Sequence, residues 1–263
     1  RIPRRDFLKK SGGLSLGAGA LLAAPSIFLN QTRAQTGESP SESIRIGIVG
    51  VGGQGRSHLF SHTLNKHIVA VCDADKSHVE RAQKDFKERF KRDLQGCKDY
   101  GELLENKNID AVLIATPDHW HTLPAIHACQ AGKDVYCEKP LTLVIDEGIA
   151  LVKAARHYQR VVQTGSQQRS SSNFRRACEY VRSGRIGDVK TVRVGLPGVN
   201  WTKEPLVPDS DPPAELDYNL WLGPAPWRPY NKHRVHYYFR FFWDYSGGQM
   251  PNWGAHHLHI AHW

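Results

Sequence analysis

No two cysteines in this chain are spaced as a CxxC pair, and the five present (Cys72, Cys97, Cys129, Cys137 and Cys178) are odd in number and scattered. That argues against a zinc ribbon, a thioredoxin-type motif or a disulfide framework, and Cys72 and Cys137, in apolar strand-like runs, read as small buried hydrophobes. Long apolar runs are also missing. The longest candidate, Ser11 to Leu22, is short and glycine-rich, which excludes a stable membrane span. The formal charge of +9 has no long basic stripe behind it. Residues 1–34 hold six Lys/Arg and one Asp, and the remainder is close to balanced, so nucleic-acid binding is not expected. What remains is ordinary globular composition, with 40% hydrophobic and 23% charged residues in 263, enough for one large domain or two smaller ones.

Arg4-Arg5-Asp6-Phe7-Leu8-Lys9 is a twin-arginine export pattern, and Thr32-Arg33-Ala34 offers small residues at the positions a signal peptidase reads. Residues 1–34 are therefore read as a signal peptide, residues 35–42 as a polar linker, and the location as periplasmic or otherwise extracytoplasmic. Twin-arginine export carries folded proteins, which suits a chain that acquires a cofactor before export.

From Ile44 the pattern changes. A buried-strand run enters Gly50-Val51-Gly52-Gly53-Gln54-Gly55, which fits G-x-G-x-x-G. In such a loop the first glycine makes the tight turn, the second lets backbone approach a pyrophosphate, and the third lets helix pack on strand. A second strand, Ile68 to Cys72, ends in Asp73, about 20 residues past the loop, where an acid binds ribose hydroxyls and repels a 2′-phosphate. NAD is thus favoured over NADP. Read blandly, Asp73 is only the N-cap of the helix that follows, whose Val79, Ala82, Phe86, Phe90 and Leu94 form a core face. A strand at Ile109 to Ala115 leads into Thr116-Pro117-Asp118-His119-Trp120-His121. Another, Asp134 to Glu138, leads into Lys139-Pro140, followed by a helix near Asp146–Tyr158 and a strand at Val161–Thr164. Alternating β and α elements of this kind make a doubly wound parallel sheet.

With Gly50–Gly55, Asp73, Ala115-Thr116-Pro117 and Glu138-Lys139-Pro140 in this order, the chain resembles the glucose–fructose oxidoreductase / inositol dehydrogenase / MocA family from about Ser43 onward. Asp217 to Pro226 is similar to a segment of its exported, twin-arginine-bearing branches. The resemblance implies an α/β protein: a Rossmann domain over 43–165, then an α+β domain with a mostly antiparallel sheet over 166–263. It implies a homo-oligomer when full length, and hydride transfer between NAD(P) and a hydroxyl carbon of a sugar or polyol. Lys139 is then catalytic, ahead of a cis-proline, and reaches both nicotinamide and the substrate hydroxyl. Gly50, Gly52, Gly53, Gln54, Gly55, Asp73, Thr116, Pro117, His121, Glu138 and Lys139 would hold the cofactor. His256 is the base, and Asn252 stands where the family carries an acid to orient it. His259 also replaces an acid. Those departures motivate one rival, a degenerate, non-catalytic dinucleotide-binding protein; a further alternative is NAD-dependent glycoside cleavage, which some relatives perform.

The second half reads less clearly. Gln167-Gln168-Arg169 is expected at the domain junction, Ser172 as the cap of a helix with Phe174, Cys178 and Val181 inward, and Val189 to Leu196 as a half-buried strand. Six of seven tryptophans fall at or after Trp201, and Trp201, Trp227 and Trp243 are candidates for stacking on a sugar ring, against ordinary packing. His256, His257, His259 and His262 invite a metal reading, but no cysteine or carboxylate joins them and no metal site is expected. The chain stops at Trp263 within a helical pattern, which reads as a fragment.

Overall fold

The computed structural model describes residues 44–199 and 207–263, all within one compact unit, Ser41–Trp263. The twin-arginine pattern, the linker and Trp201 lie outside the described residues. Six strands form one parallel sheet: β1 (Ile46–Val49), β2 (Ile68–Cys72), β3 (Gln95–Cys97), β4 (Ala111–Ile114), β5 (Asp134–Glu138) and β6 (Val162–Gly165). Their spatial order is β3-β2-β1-β4-β5-β6, so the chain reverses direction of travel between β1 and β4. In open α/β sheets ligands bind beyond the strand C-termini at that point.

Alternate strand residues face opposite layers. Val49, Cys72, Ile114 and Cys137 pack on one side against Leu103 of α3 (Tyr100–Glu105), Ala125 and Ala128 of α4 (Thr122–Gln130), and Leu151 of α5 (Ile145–His157). Ile48, Val71 and Leu113 pack on the other against Leu59 of α1 (Gln54–Leu59) and Val79, Ala82 and Phe86 of α2 (Lys76–Phe90). Fully buried side chains such as Ile48 and Phe86 contribute on the order of 1.5–3 kcal/mol each. The cap of α2 is Asp75, whose carboxylate accepts from the Ser77 N–H at 2.9 Å. Asp73 is therefore not the cap.

β3 and α3 are not in the sequence reading. Gln-Gly-Cys carries no hydrophobic pattern, and its strand character comes from pairing with β2 at the sheet edge. The expected strand at Val189–Leu196 is a correction. Among the described residues no strand pairs with it, and Val192 and Val194 stay exposed, because an extended segment becomes a strand only against a backbone-bonded neighbouring strand. The mostly antiparallel sheet of the second domain is likewise not seen among the described residues, where the antiparallel pairing outside the named strands is one bridge, Asp75 to Leu216. In α6 (Ser172–Arg182) Ser171 holds the cap position, and Cys178 is buried while Val181 is exposed.

Residues after 207 instead wrap the C-terminal edge of the sheet. Leu216, Tyr218, Trp221, Tyr230, Phe239 and Tyr245 build an aromatic core around α7 (Tyr218–Leu222). It docks through backbone pairs Lys76 N–H to Glu215 and Asp217 N–H to Ala74, both 2.9 Å. His119 meets the Trp221 carbonyl at 3.0 Å, and the Trp120 indole N–H donates to the same carbonyl at 2.9 Å. Gly223 closes α7 at φ 49°, and a Cβ there would lie 2.0 Å from the Trp120 ring, so this turn requires glycine.

Candidate functional site

A cleft of about 680 Å³ opens beyond the C-terminal ends of β1, β2, β4 and β5, where the sheet order reverses. The glycine loop forms one end. Gly50 sits at φ 87°, and its missing Cβ would strike the Ala115 carbonyl at 2.7 Å. A Cβ on Gly55 would lie 1.8 Å from the Gly50 oxygen, so Gly55 serves packing and does not line the cleft. Gly53 has open space where a Cβ would go, on the side from which α1 starts. Helix first-turn N–H groups have no intrahelical acceptor and attract anions. These features fit a dinucleotide phosphate.

Asp73 follows β2 directly and lines the cleft. Its carboxylate accepts the Val51 N–H at 2.8 Å and the Asp75 N–H at 3.0 Å, which ties this acid to the glycine loop. Thr116 and Pro117 follow β4 into the cleft, and the buried Thr116 hydroxyl has no protein partner, nor has the Gln168 side-chain carbonyl. Orphaned polar atoms in a cleft of this kind fit a polar ligand. His121 was expected on the cofactor, but its two nitrogens meet the carbonyls of Pro140 and Thr116. It lines the cleft as a brace between two loops. Glu138 is likewise committed: one oxygen lies 2.6 Å from His58 Nε2 on α1, and the other faces the Lys139 N–H at 3.3 Å.

Lys139 precedes a cis peptide bond to Pro140. Its ammonium donates to the Asn252 side-chain oxygen at 3.0 Å and to the Asn252 carbonyl at 3.1 Å, a contact across 113 residues. Desolvation pulls the Lys139 pKa below its usual value, with Arg240 adding to the fall and Asp118 and Glu138 opposing it. This corrects the role expected of Asn252. It holds Lys139 and takes no part in orienting His256 by any hydrogen bond described. Residues Met250–Gly254 form a wider π turn before α8 (Ala255–His262), so positions four apart do not stack as they would on a regular α-helix. His256 is buried in the cleft wall, and desolvation, then the Lys139 charge, lowers its pKa, which favours a neutral imidazole.

The four terminal histidines separate. His257 meets the Gly195 carbonyl and His259 accepts from Arg169, so only His256 of the four faces the cleft. Trp227 and Trp243 are exposed and do not line it, whereas Trp120, Trp221 and Trp253 do. Asp118, Arg240 and His236 also line it without having been singled out. Asp118 is buried and bonded to the Ser246 hydroxyl at 2.5 Å, and desolvation raises its pKa against the pull of His121, Ser246, Arg240 and Lys139. The Arg240 guanidinium rests on the Tyr237 and Phe239 rings. Position at a strand end was the signal available for Asp118; for Arg240 and His236 there was none.

Two family models match the chain: the GFO_IDH_MocA oxidoreductase family, NAD-binding Rossmann fold, over residues 44–166, and its C-terminal alpha/beta domain over 174–263. An alpha-N-acetylgalactosaminidase from Shewanella oneidensis is 30% identical over 207 residues, 72% of this chain and 44% of that protein. A solved scyllo-inositol dehydrogenase from Lactobacillus casei, with NAD(H) and scyllo-inositol bound, is 27% identical at a TM-score of 0.50, covering 56% of this chain and 43% of that one. A myo-inositol 2-dehydrogenase structure from Lactobacillus plantarum is 29% identical, also at 0.50, with 56% and 43% covered. The chain thus spans less than half the length of each of these relatives.

Proposed function

The chain belongs to the Gfo/Idh/MocA oxidoreductase family, and on that premise we propose that its protein transfers hydride between NAD and a hydroxyl carbon of a sugar or polyol, oxidising the alcohol to a carbonyl or running the reverse. The observation that carries this reading is Lys139, held by Asn252 at the floor of a cleft that also contains His256 and the glycine loop. Bound nicotinamide supplies the hydride acceptor or donor. The chain's own groups do the rest. Neutral His256 takes the hydroxyl proton on its free ring nitrogen, and protonated Lys139 stabilises the charge developing on oxygen. The Lys139–Asn252 contact fixes where that positive charge stands. The Asp73 carboxylate, at the ribose end, disfavours a 2′-phosphate and so favours NAD over NADP.

Glycoside cleavage through the same oxidation is a second reading, favoured by the 30% identical relative named as an alpha-N-acetylgalactosaminidase. One assay separates the possibilities. The protein is incubated with NAD and a panel of inositols, hexoses and a chromogenic N-acetylgalactosaminide. Net NADH formation supports the dehydrogenase, and sugar release without net NADH supports cleavage. NAD binding with neither product leaves the non-catalytic reading standing and contradicts the proposal. Residues 1–34 are proposed to direct export by the twin-arginine route, which a reporter fusion with Arg4 and Arg5 changed to Lys tests. The protein is further proposed to be a homo-oligomer, and a monomer by light scattering contradicts that.

A further inference from the structure

At the ribose end of the cleft three side chains from two separate segments converge. Asp75 caps α2, His78 lies in the first turn of the same helix, and His236 comes from the segment ahead of Tyr238–Phe241. Asp75 Oδ2 is 3.8 Å from His78 Nε2 and 3.5 Å from His236 Nε2, and one donor atom from each residue lies within 4.8 Å of the others. The two imidazole centroids lie 4.9 Å apart, with the rings tilted at 59°.

These distances are too long for direct hydrogen bonds, whose heavy atoms lie about 2.7–3.2 Å apart. They approach the spacing of donors that share an ion, with the widest pair, within 4.8 Å, drawing closer on binding. Tetrahedral Zn²⁺ with ligands at about 2.0–2.1 Å places neighbouring donor atoms roughly 3.3–3.4 Å apart. Two further observations point the same way. His78 Nδ1 is buried without a hydrogen bond, yet Asp73 Oδ2 lies only 3.3 Å away. A small ring rotation makes that contact, giving the carboxylate–histidine–metal relay that fixes ligating imidazoles. His236 is held at φ 51°, a conformation a non-glycine residue rarely adopts, and such outliers concentrate at sites where an interaction compensates for them.

We propose that Asp75, His78 and His236 form a binding site for one divalent transition-metal ion, zinc in the first instance, with its remaining position open to the cleft. The ligand set is one carboxylate and two imidazoles, the donor types zinc takes when three protein ligands leave a fourth position free. Because Asp73 touches both His78 and the Val51 N–H, the ion sits one residue removed from the glycine loop. His78 and His236 line the cleft, so the site has an entry path. The nearby Arg81 charge opposes the ion, and the Asp73 and Asp75 carboxylates offset it.

The test uses the full chain, purified without a polyhistidine tag, stripped with a chelator and titrated with zinc chloride by calorimetry. Wild type is expected to bind one ion per chain. His236→Ala, in a partly exposed loop residue that leaves the α2 cap intact, and Asp75→Asn, which keeps a capping oxygen, are each expected to weaken binding more than about 100-fold, beyond the cost of losing an outer-shell partner. Far-ultraviolet circular dichroism verifies that both variants fold. Zinc binding that is unchanged in His236→Ala overturns the proposal, as does binding lost instead in His259→Ala, which would assign the ion to the C-terminal histidines. Absence of saturable binding by wild type overturns it outright.

Discussion

The two sides of the cleft are built by different means. On the cofactor side each residue does a job set by its own strand or turn: Gly50 makes the bend after β1, Asp73 follows β2, Thr116 follows β4 and Lys139 follows β5. On the other side, His256, Asn252, Arg240 and His236 come from short helical turns joined by irregular chain, with no strand in that stretch. It is held in place by contacts spanning more than 100 residues, Ser246 to Asp118 and Trp120 to Trp221 among them. A parallel sheet supplies rigid positions cheaply, because its backbone bonds are satisfied within the sheet. An irregular segment reaches comparable definition only by burying aromatic surface and pairing its polar groups with a scaffold already in place.

Breaking the two sides separately should give different symptoms. The largest effect is expected from His256→Gln, which removes the proposed base and should lower turnover by about 10²–10⁴-fold with NAD affinity little changed, measured by steady-state kinetics and cofactor titration. The pH profile of wild type carries a related expectation. Oxidation needs His256 neutral, hence pH above its pKa, and Lys139 charged, hence pH below its own. Both pKa values are lowered, so the acid limb should fall below 6.5 and the basic limb below 10.5. Limbs above those values contradict the desolvation argument.

Next in size is Gly55→Ala. Its Cβ would meet the Gly50 oxygen at 1.8 Å, so the loop must shift. A stability loss of about 1–3 kcal/mol by denaturant melt, with NAD binding lost, is the expected outcome. Ser246→Ala acts on the opposite side. It leaves buried Asp118 short of its hydroxyl partner, for an expected loss of about 1–3 kcal/mol, again by denaturant melt. NAD affinity should be unchanged, and a fall as large as that of Gly55→Ala would erase the distinction between the two sides. Thr116→Val should do least to the free protein, since that hydroxyl has no partner to lose, yet it should weaken NAD binding by about 0.5–1.5 kcal/mol if the hydroxyl serves the ligand.

The same contrast decides what could be read from the sequence. The glycine loop, Asp73 and Lys139 announce themselves because a turn, a strand end and a Lys-Pro step are local patterns. β3 was missed because three residues at a sheet edge carry no pattern of their own. Asn252 was located but given the wrong neighbour, since a helical spacing was assumed where the chain makes a π turn. Trp227 and Trp243 looked suited to a sugar, but aromatic character alone does not say which way a loop residue faces, and Trp253 lines the cleft instead. Asp75, His78 and His236 escaped because the third member lies about 160 residues from the first two, and only folding brings it there.

The claim that joins both sides is that Lys139, positioned from across the cleft by Asn252, carries the chemistry and not the cofactor affinity. Measuring NAD affinity and turnover for Lys139→Met tests it directly. The account predicts turnover lower by about 10²–10³-fold, as for removal of one donor to a developing oxyanion, with the NAD dissociation constant unchanged. Turnover retained, or NAD binding lost in parallel with it, would contradict the account.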